Sequence, residues 1–264
     1  MRDALRTRLV HLEPREIVFS PASINDVTRH HIQLYTMEAS FPVRLESCDS
    51  VCPLDKFLQG HVLAWILSEL SYSVQEALAM LCTHLDTYKM TPAFQHVGNY
   101  ATFTSRSCML LSSVTMEHLE LLQNATDRRV YGSLLWLMDE CTTPMGRRLL
   151  RRWIRYPLID AETINARADA VGLLRECKSH VLLRAVEILT NLPDLMRGLT
   201  RMMHLLVNPS ELTTILLALH RVTHEFDASV STGNTLLDTT LCDLSAAKTE
   251  VRTAIEALSI PHAR

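Results

Sequence analysis

The chain has 264 residues, enough to bury a sizeable core in one large domain or in one and a half ordinary ones. Hydrophobic residues make up 47% and charged residues 21%, which excludes a disordered chain, and a formal net charge of −3 excludes a global attraction to nucleic acid. Seven irregularly spaced cysteines, a charged N-terminus and no apolar run long enough to span a bilayer predict a soluble intracellular protein with reduced thiols.

The first sixty residues predict a small α/β segment. Leu5, Leu9 and Leu12 form a helical stripe that Pro14 ends, and residues 17–19 then have the composition of a strand. A second short helix, capped by Ser23, and a second strand over residues 41–45 follow. Because two strands alone make a poor sheet, we expect residues 1–60 to be part of a larger α/β domain.

From residue 61 onwards the apolar spacing predicts helix almost throughout. Apolar positions from Trp65 to Leu85 fit one long helix, or two in line, that end near Pro92. Residues 101–111 predict a short extended segment, and Leu119 with Leu122 predict a brief helix. The fold class is therefore mainly α, with a helical domain over residues 61–264.

The later helices are predicted from their start signals, which are a Ser, Thr or Asp N-cap or a proline in the first turn. These signals are Ser133, Thr143 with Pro144, Asp160, Pro193 and Pro209. The helix that begins at Ser133 is expected to reach residue 141. A loop at residues 231–234 precedes a final helix that ends near residue 258.

A basic face on the helix that follows Pro144 is the first candidate functional surface. On a helical wheel at about 100° per residue its arginines fall within one arc of roughly 140°, opposite an apolar side that is expected to pack in the core. Guanidinium groups so placed can bind phosphates, pair with the acids of neighbouring helices, or form an ordinary solvated surface. The face consists of Arg147, Arg148, Arg151, Arg152 and Arg155.

Catalytic and cofactor motifs give no candidate. A P-loop for ATP needs a glycine followed by lysine, and none of the seven glycines is followed by lysine. The chain has no Gly-x-Ser-x-Gly elbow and no catalytic cysteine signature. We therefore predict no catalytic residue and no bound cofactor in this chain.

Two residue pairs have a spacing that metal ligands use. Cys48 and Cys52 form half of a zinc-site pattern, but no second pair follows at finger distance. His220 and His224 lie one helical turn apart without the order that zinc proteases require. We expect the two cysteines to be ordinary thiols and the two histidines to be solvated or packed in the core. No metal site is predicted.

Several segments in residues 119–171 resemble one protein family. LELLQNATD, GSLLWLMDECTTPMGRRLLRRWIRYPL and INARADAV, in this order and at these gaps, resemble the core-domain signature of the MutS mismatch-repair proteins. NLPDLMRGLTRM at 191–202 is similar to the next part of that core, and ALRTRLVHLEPREIVF resembles the end of the family's connector domain. Gln123 and Trp136 favour the eukaryotic branch called MutS homologue three.

The resemblance implies a function that the motifs alone do not. It implies a nuclear protein that recognises mismatches and insertion/deletion loops in double-stranded DNA, as a heterodimer with another MutS homologue, using ATP and Mg²⁺. It also implies that residues 1–60 are the end of the connector and that residues 61–264 are the first part of the core with its lever helices, ending before the clamp and the ATPase. The family's Phe-x-Glu mismatch wedge does not occur in the chain, so we expect a structural and allosteric part that is not itself an enzyme.

One alternative from a different class remains open at this point. The chain could be an all-helical scaffold whose arginine face docks an acidic protein partner. Replacing Arg148, Arg151 and Arg152 by Glu would distinguish the two, because a phosphate-binding face should lose affinity for DNA and show a flatter salt dependence.

Overall fold

A computed structural model describes residues 2–39, 41–48, 50–95, 97–100, 108–176, 180–190, 192–225 and 232–258. These residues are mainly helical, with one pair of short strands, and the predicted fold class is confirmed. Backbone packing divides the chain into two compact units: residues 1–106 with 110–133, and residues 107–109 with 134–264. The predicted boundary at residue 60 concerns the family's connector and core domains and stays a prediction.

The first unit begins with a parallel β-α-β arrangement. Helix α1 (Arg2–Leu12) precedes strand β1 (Glu16–Phe19), helix α2 (Asp26–Glu38) and strand β2 (Arg44–Ser47). The strands pair in parallel with Glu16 opposite Arg44. Parallel strands need a crossover connection, and α2 supplies it. The predicted α/β segment is therefore present, although the second strand lies later than the predicted residues 41–45.

The core of the first unit forms around two further helices, α3 (Gly60–Glu69) and α4 (Tyr72–Asp86). Leu58, Val62, Ile66 and Cys82 are almost completely buried between them and a short 3-10 helix, Leu54–Lys56. Further 3-10 helices lie at Thr91–Gln95 and Val97–Asn99. Helix α5 (Ser113–His118) packs against α1.

The second unit consists of eight described helices. Helices α10, α12 and α13 pack against α11, and α12 also packs against α8. Ile188, Val222 and Leu241 form one buried cluster, and Ile215 and Ile255 are buried as well. The helices are α6 (Leu134–Met138), α7 (Pro144–Arg155), α8 (Ala161–Glu176), α9 (His180–Leu189), α10 (Leu195–Met203), α11 (Pro209–Glu225), α12 (Thr235–Ala246) and α13 (Lys248–Ala257).

Several predicted starts are confirmed by the capping bonds. The Thr143 hydroxyl accepts a bond from the Gly146 amide at 3.1 Å, and the Asp160 carboxylate accepts one from the Thr163 amide at 2.8 Å. The predicted cap of α2 at Ser23 is wrong, because the side chain of Asn25 accepts the Thr28 amide at 2.8 Å instead. A short polar side chain at either position could cap, and sequence alone does not rank them.

Three helix boundaries were predicted wrongly. The brief helix expected at Leu119 and Leu122 is the earlier α5, after which Glu120 adopts a positive φ of 46°. Helix α6 ends at Met138 rather than residue 141, since the carboxylate of Asp139 accepts the Cys141 amide and takes the place of a helical bond. The single final helix is two helices, α12 and α13, that meet at Ala247.

The predicted extended segment lies partly outside the described residues. Residues 101–107 cannot be discussed, but Cys108 forms an antiparallel bridge with Leu158. The Met109 amide also donates to the Pro157 carbonyl at 2.7 Å. No described helix is both long and apolar enough to cross a lipid bilayer.

Candidate nucleic-acid interface

The arginines of α7 do not form one free basic face. The Arg147 Nε lies 2.7 Å from a carboxylate oxygen of Asp139. Both terminal nitrogens of Arg148 lie 2.6 Å from the two carboxylate oxygens of Asp194, at the start of α10. Both arginines thus pair with acids that lie next to neighbouring helices, since Asp139 follows α6 and Asp194 caps α10.

The other three arginines differ in exposure. Arg155 is only 7% exposed, with its guanidinium carbon 5.7 Å from the centre of the Tyr156 ring, so it does not belong to an exposed face. Arg151 is half-buried. Arg152 is exposed and forms no ion pair within the described parts of the chain. A phosphate contact by α7 stays a prediction, and Arg152 is the position best placed to make it.

The apolar side of α7 is less buried than the sequence predicts. Leu149 is 47% exposed and Trp153 is 43% exposed. The indole of Trp153 is covered on one face by the guanidinium of Arg167 from α8, with 4.2 Å between the guanidinium carbon and the ring centre. A guanidinium over an indole is a favourable cation–π contact. The wheel identified the apolar side correctly, but not whether a neighbouring element covers it.

The bidentate pair between Arg148 and Asp194 joins two of the segments singled out in the sequence. Asp194 accepts from Arg148 and also caps α10 through the Arg197 amide at 3.3 Å. The hydrogen bond from Arg148 is the main cause that lowers the pKa of the Asp194 carboxyl below its usual value, and the pKa of Arg148 is raised in return. Two parallel bonds fix direction as well as distance.

Two glycines mark close approaches around this pair. A Cβ added at Gly146 would lie 2.8 Å from the capping hydroxyl of Thr143. A Cβ added at Gly198 of α10 would lie 2.6 Å from Cδ1 of Ile215 in α11. The first glycine leaves room for the cap of α7, and the second lets α10 approach α11 closely.

We call the set Arg148, Trp153, Arg167, Asp194 and Gly198 the α7 joint. It links α7 to α8 through the cation–π contact and to α10 through the ion pair. From α10 the contact of Gly198 with Ile215 continues to α11, the longest described helix. The sequence did not predict that Asp194 pairs with Arg148 or that Arg167 covers Trp153, because a helical wheel describes a single helix and not its contacts with other helices.

The remaining polar segment of the signature forms a loop in the first unit. The Asn124 side chain donates to the Tyr131 carbonyl and accepts from the Asp127 amide, each at 2.9 Å. Gly132 next to Tyr131 has a positive φ of 83°, which favours glycine. The residues of LLQNATD therefore shape a loop.

The candidate metal pairs have other contacts in the structure. The Cys48 thiol donates to the Ser50 carbonyl at 3.3 Å, whereas the sulfur of Cys52 lies 3.5 Å from Lys56 Nζ. The rings of His220 and His224 are 5.0 Å apart. Among the residues that the structure describes, no group of three or more His, Cys, Asp or Glu side chains is placed to hold a metal ion.

Comparison with known proteins found a family model that matches the end of the first unit and most of the second. Residues 114–260 match the family model described as MutS domain III. The DNA mismatch repair protein MSH3 of Mycosarcoma maydis is 43% identical over 192 residues, which cover 71% of this chain and 17% of that protein.

More distant relatives carry the same name. MSH3 of Cryptococcus neoformans is 35% identical over 226 residues, covering 83% of this chain and 19% of that protein. Human Msh3 is 28% identical over 258 residues, which cover 91% of this chain and 23% of that protein. The chain thus spans about a fifth of the length of the curated relatives that it matches.

Proposed function

Because the chain belongs to the MutS family of DNA mismatch-repair proteins, we propose that it forms the core and lever part of a protein that recognises mismatches and insertion/deletion loops in duplex DNA. The whole protein would act in the nucleus, as a heterodimer with another MutS homologue. ATP and Mg²⁺ would be bound by other parts of such a protein. The relatives named MSH3 support the branch that Gln123 and Trp136 favoured.

The α7 joint is the observation that carries a relay role for this part. Coupling between distant sites requires packed elements with two discrete arrangements that both sites influence. The joint supplies a contiguous series of contacts from α7 through Asp194 to α10, and from Gly198 through Ile215 to α11. We propose that movement passes along this series between the ATP-binding and DNA-binding parts of the protein.

A chimera tests the function and the relay separately. This chain would replace the aligned segment of MSH3 from Mycosarcoma maydis, and repair of insertion/deletion loops would be measured in cells that lack the native MSH3. We expect the chimera to restore repair. A chimera that is expressed and soluble but restores no repair would contradict the proposed function.

The relay is tested in the same chimera by Asp194→Asn. Asparagine keeps the cap of α10 but removes the charge that holds Arg148. The expected result is an unchanged basal ATPase rate with weaker stimulation by loop-containing DNA. Glu187→Gln is the matched control, because it removes an exposed carboxylate whose local partner is Arg184 in the same helix. Equal stimulation in the Asp194→Asn and control proteins would rule out a relay through the joint.

The isolated chain tests whether ATP hydrolysis and mismatch recognition belong to other parts of the protein. We expect it to hydrolyse no ATP and to bind mismatched and matched duplexes equally near physiological salt. Mismatch-dependent retention by this chain alone would place recognition within it and contradict the proposal.

The acidic-partner alternative now depends mainly on Arg152, since Arg147 and Arg148 are paired, Arg151 is half-buried and Arg155 is buried. Arg152→Glu tests it without disturbing the joint. If α7 contacts a phosphate, the slope of log affinity for DNA against log salt should flatten by about one. An unchanged slope together with loss of a protein partner would favour the scaffold.

A further inference from the structure

A groove between α11 and α13 is lined by none of the α7 arginines. It has a volume of about 340 Å³ and is lined by His224, Lys248, Thr249, Arg252, Thr253 and Glu256. Lys248 and Arg252 are four residues apart on α13, so they project from the same side of that helix. His224 faces them from α11.

We propose that this groove binds a phosphate group of the DNA backbone. This inference rests on the proposed function, since DNA is the phosphate polymer on which the family acts. Three kinds of donor meet in the groove: an ammonium, a guanidinium and an imidazole. Thr249 also lines the groove. Lysine, arginine and hydroxyl donors are the groups that position proteins on DNA phosphates.

The local electrostatic field supports an anion in this place. Burial lowers the pKa of His220, and the neighbouring charges of His224 and Lys248 lower it further. Lys248 and Arg252 give the lining of the groove two cations against the single carboxylate of Glu256. The groove therefore attracts an anion even though the whole chain has a net charge of −3.

Glu256 is the one acid among the described residues that line the groove. It lies 2.9 Å from the Nε of Arg252, an i,i+4 pair with both side chains well exposed. Exposed pairs of this kind are weak. The bond uses Nε, so the two terminal nitrogens of the guanidinium can bind a second acceptor. Glu256 thus competes with a phosphate without closing the groove to it.

Because Glu256 competes with the phosphate, removing this acid should change the affinity for DNA in the opposite direction from removing a cation of the groove. The probe is a 20-base-pair matched duplex, and its affinity for the whole chain is measured at several salt concentrations. Lys248→Gln and Arg252→Gln should each weaken binding and flatten the salt slope by about one. Glu256→Gln should tighten binding about fivefold at low salt, the effect of removing a carboxylate within about 4 Å of a phosphate in water.

Matched controls separate the groove from net charge. Glu250→Gln removes an acid from the same helix away from the groove lining, and Arg175→Gln removes an exposed cation from α8. Both should leave the affinity within twofold of the parent. If the groove variants behave like these controls while the parent binds DNA, the groove proposal is overturned and the proposed function stands.

Two further probes identify the source of the phosphate. Inorganic phosphate that binds the parent but not Arg252→Gln, without duplex binding, would assign the groove to a small phosphate ligand and overturn the DNA assignment. Polyglutamate that binds as tightly as the duplex would show a site for acidic protein instead. In either case the repair measured with the chimera would still decide the proposed function.

Discussion

Breaking the ion pair of the α7 joint should destabilise the second unit by a small and separable amount. The change is a double-mutant cycle of Arg148→Ala and Asp194→Asn. The Arg148 side chain is 53% exposed and that of Asp194 is 22% exposed, so water screens the pair partly. Pairs of this exposure contribute about 0.2–1 kcal/mol, and the bidentate geometry places this one near the upper end. We expect a coupling energy of about 0.5–1 kcal/mol.

The cap on α10 distinguishes the pair from the other role of the same carboxylate. Asp194→Ala loses both the ion pair and the bond from the Arg197 amide. Loss of an N-cap costs about 1 kcal/mol, whereas asparagine caps about as well as aspartate. Asp194→Ala should therefore be about 1 kcal/mol less stable than Asp194→Asn.

Urea unfolding followed by tryptophan fluorescence measures these differences. A Trp65→Phe background leaves Trp136 and Trp153 as reporters, and both belong to the second unit. Coupling that is absent within error, or equal stability of the alanine and asparagine variants, would show that Asp194 does not hold Arg148 and α10 together.

The pH dependence of the same pair has a definite sign. The pKa of Asp194 is lowered in the folded protein from an ordinary value of 3.8. The contribution of the pair is therefore complete above about pH 4 and is lost as the pH falls through the folded pKa. Parent and Asp194→Asn proteins should converge in stability only below pH 4. Convergence already at pH 6 would contradict the assignment.

Three further predictions concern the cap of α7, the contact between α10 and α11, and the thiol of Cys82. Thr143→Ala should cost about 1 kcal/mol of unfolding free energy through loss of the α7 cap, and Gly146→Ala, whose Cβ would meet that hydroxyl at 2.8 Å, should stabilise only when Thr143 is already alanine. Gly198→Ala should cost about 1–3 kcal/mol by overpacking against the buried Ile215, and Ile215→Ala should relieve part of that added cost in a thermal melt. Burial raises the pKa of the Cys82 thiol to about 11, so iodoacetamide at pH 8 should leave it unmodified in the folded protein; rapid labelling there would refute its burial.

Local signals predicted the helices well where a cap and a first turn coincide. Thr143 with Pro144 and Asp160 begin helices as expected, since a capping side chain and its amide partner lie within one turn of sequence. The prediction at Ser23 failed because nearby Asn25 offered an equivalent cap, and the helix expected at Leu119 lies earlier, where Ser112 caps it. The choice among local alternatives depends on packing that the local sequence does not contain.

The arginine face shows the limit of reasoning about one helix. The wheel placed Arg147, Arg148 and Arg155 together, but Arg155 is buried and the other two are held by Asp139 and Asp194. Asp194 lies 46 residues from Arg148 along the chain. Helical periodicity does not connect residues so far apart in the sequence. The sequence alone therefore could not distinguish a phosphate-binding arginine face from arginines that join helices.

The sequence by itself determined the fold class, the small helix–strand–helix–strand segment and the family, because these depend on local periodicity, capping and the order of signature residues. The parallel pairing of the two strands came only from the structure. Only the tertiary structure decided which charges are free. Ion pairs such as that between Arg148 and Asp194 and grooves such as that beside Lys248 arise from contacts between helices distant in sequence. Whether a guanidinium faces solvent, a carboxylate or an indole depends on that packing.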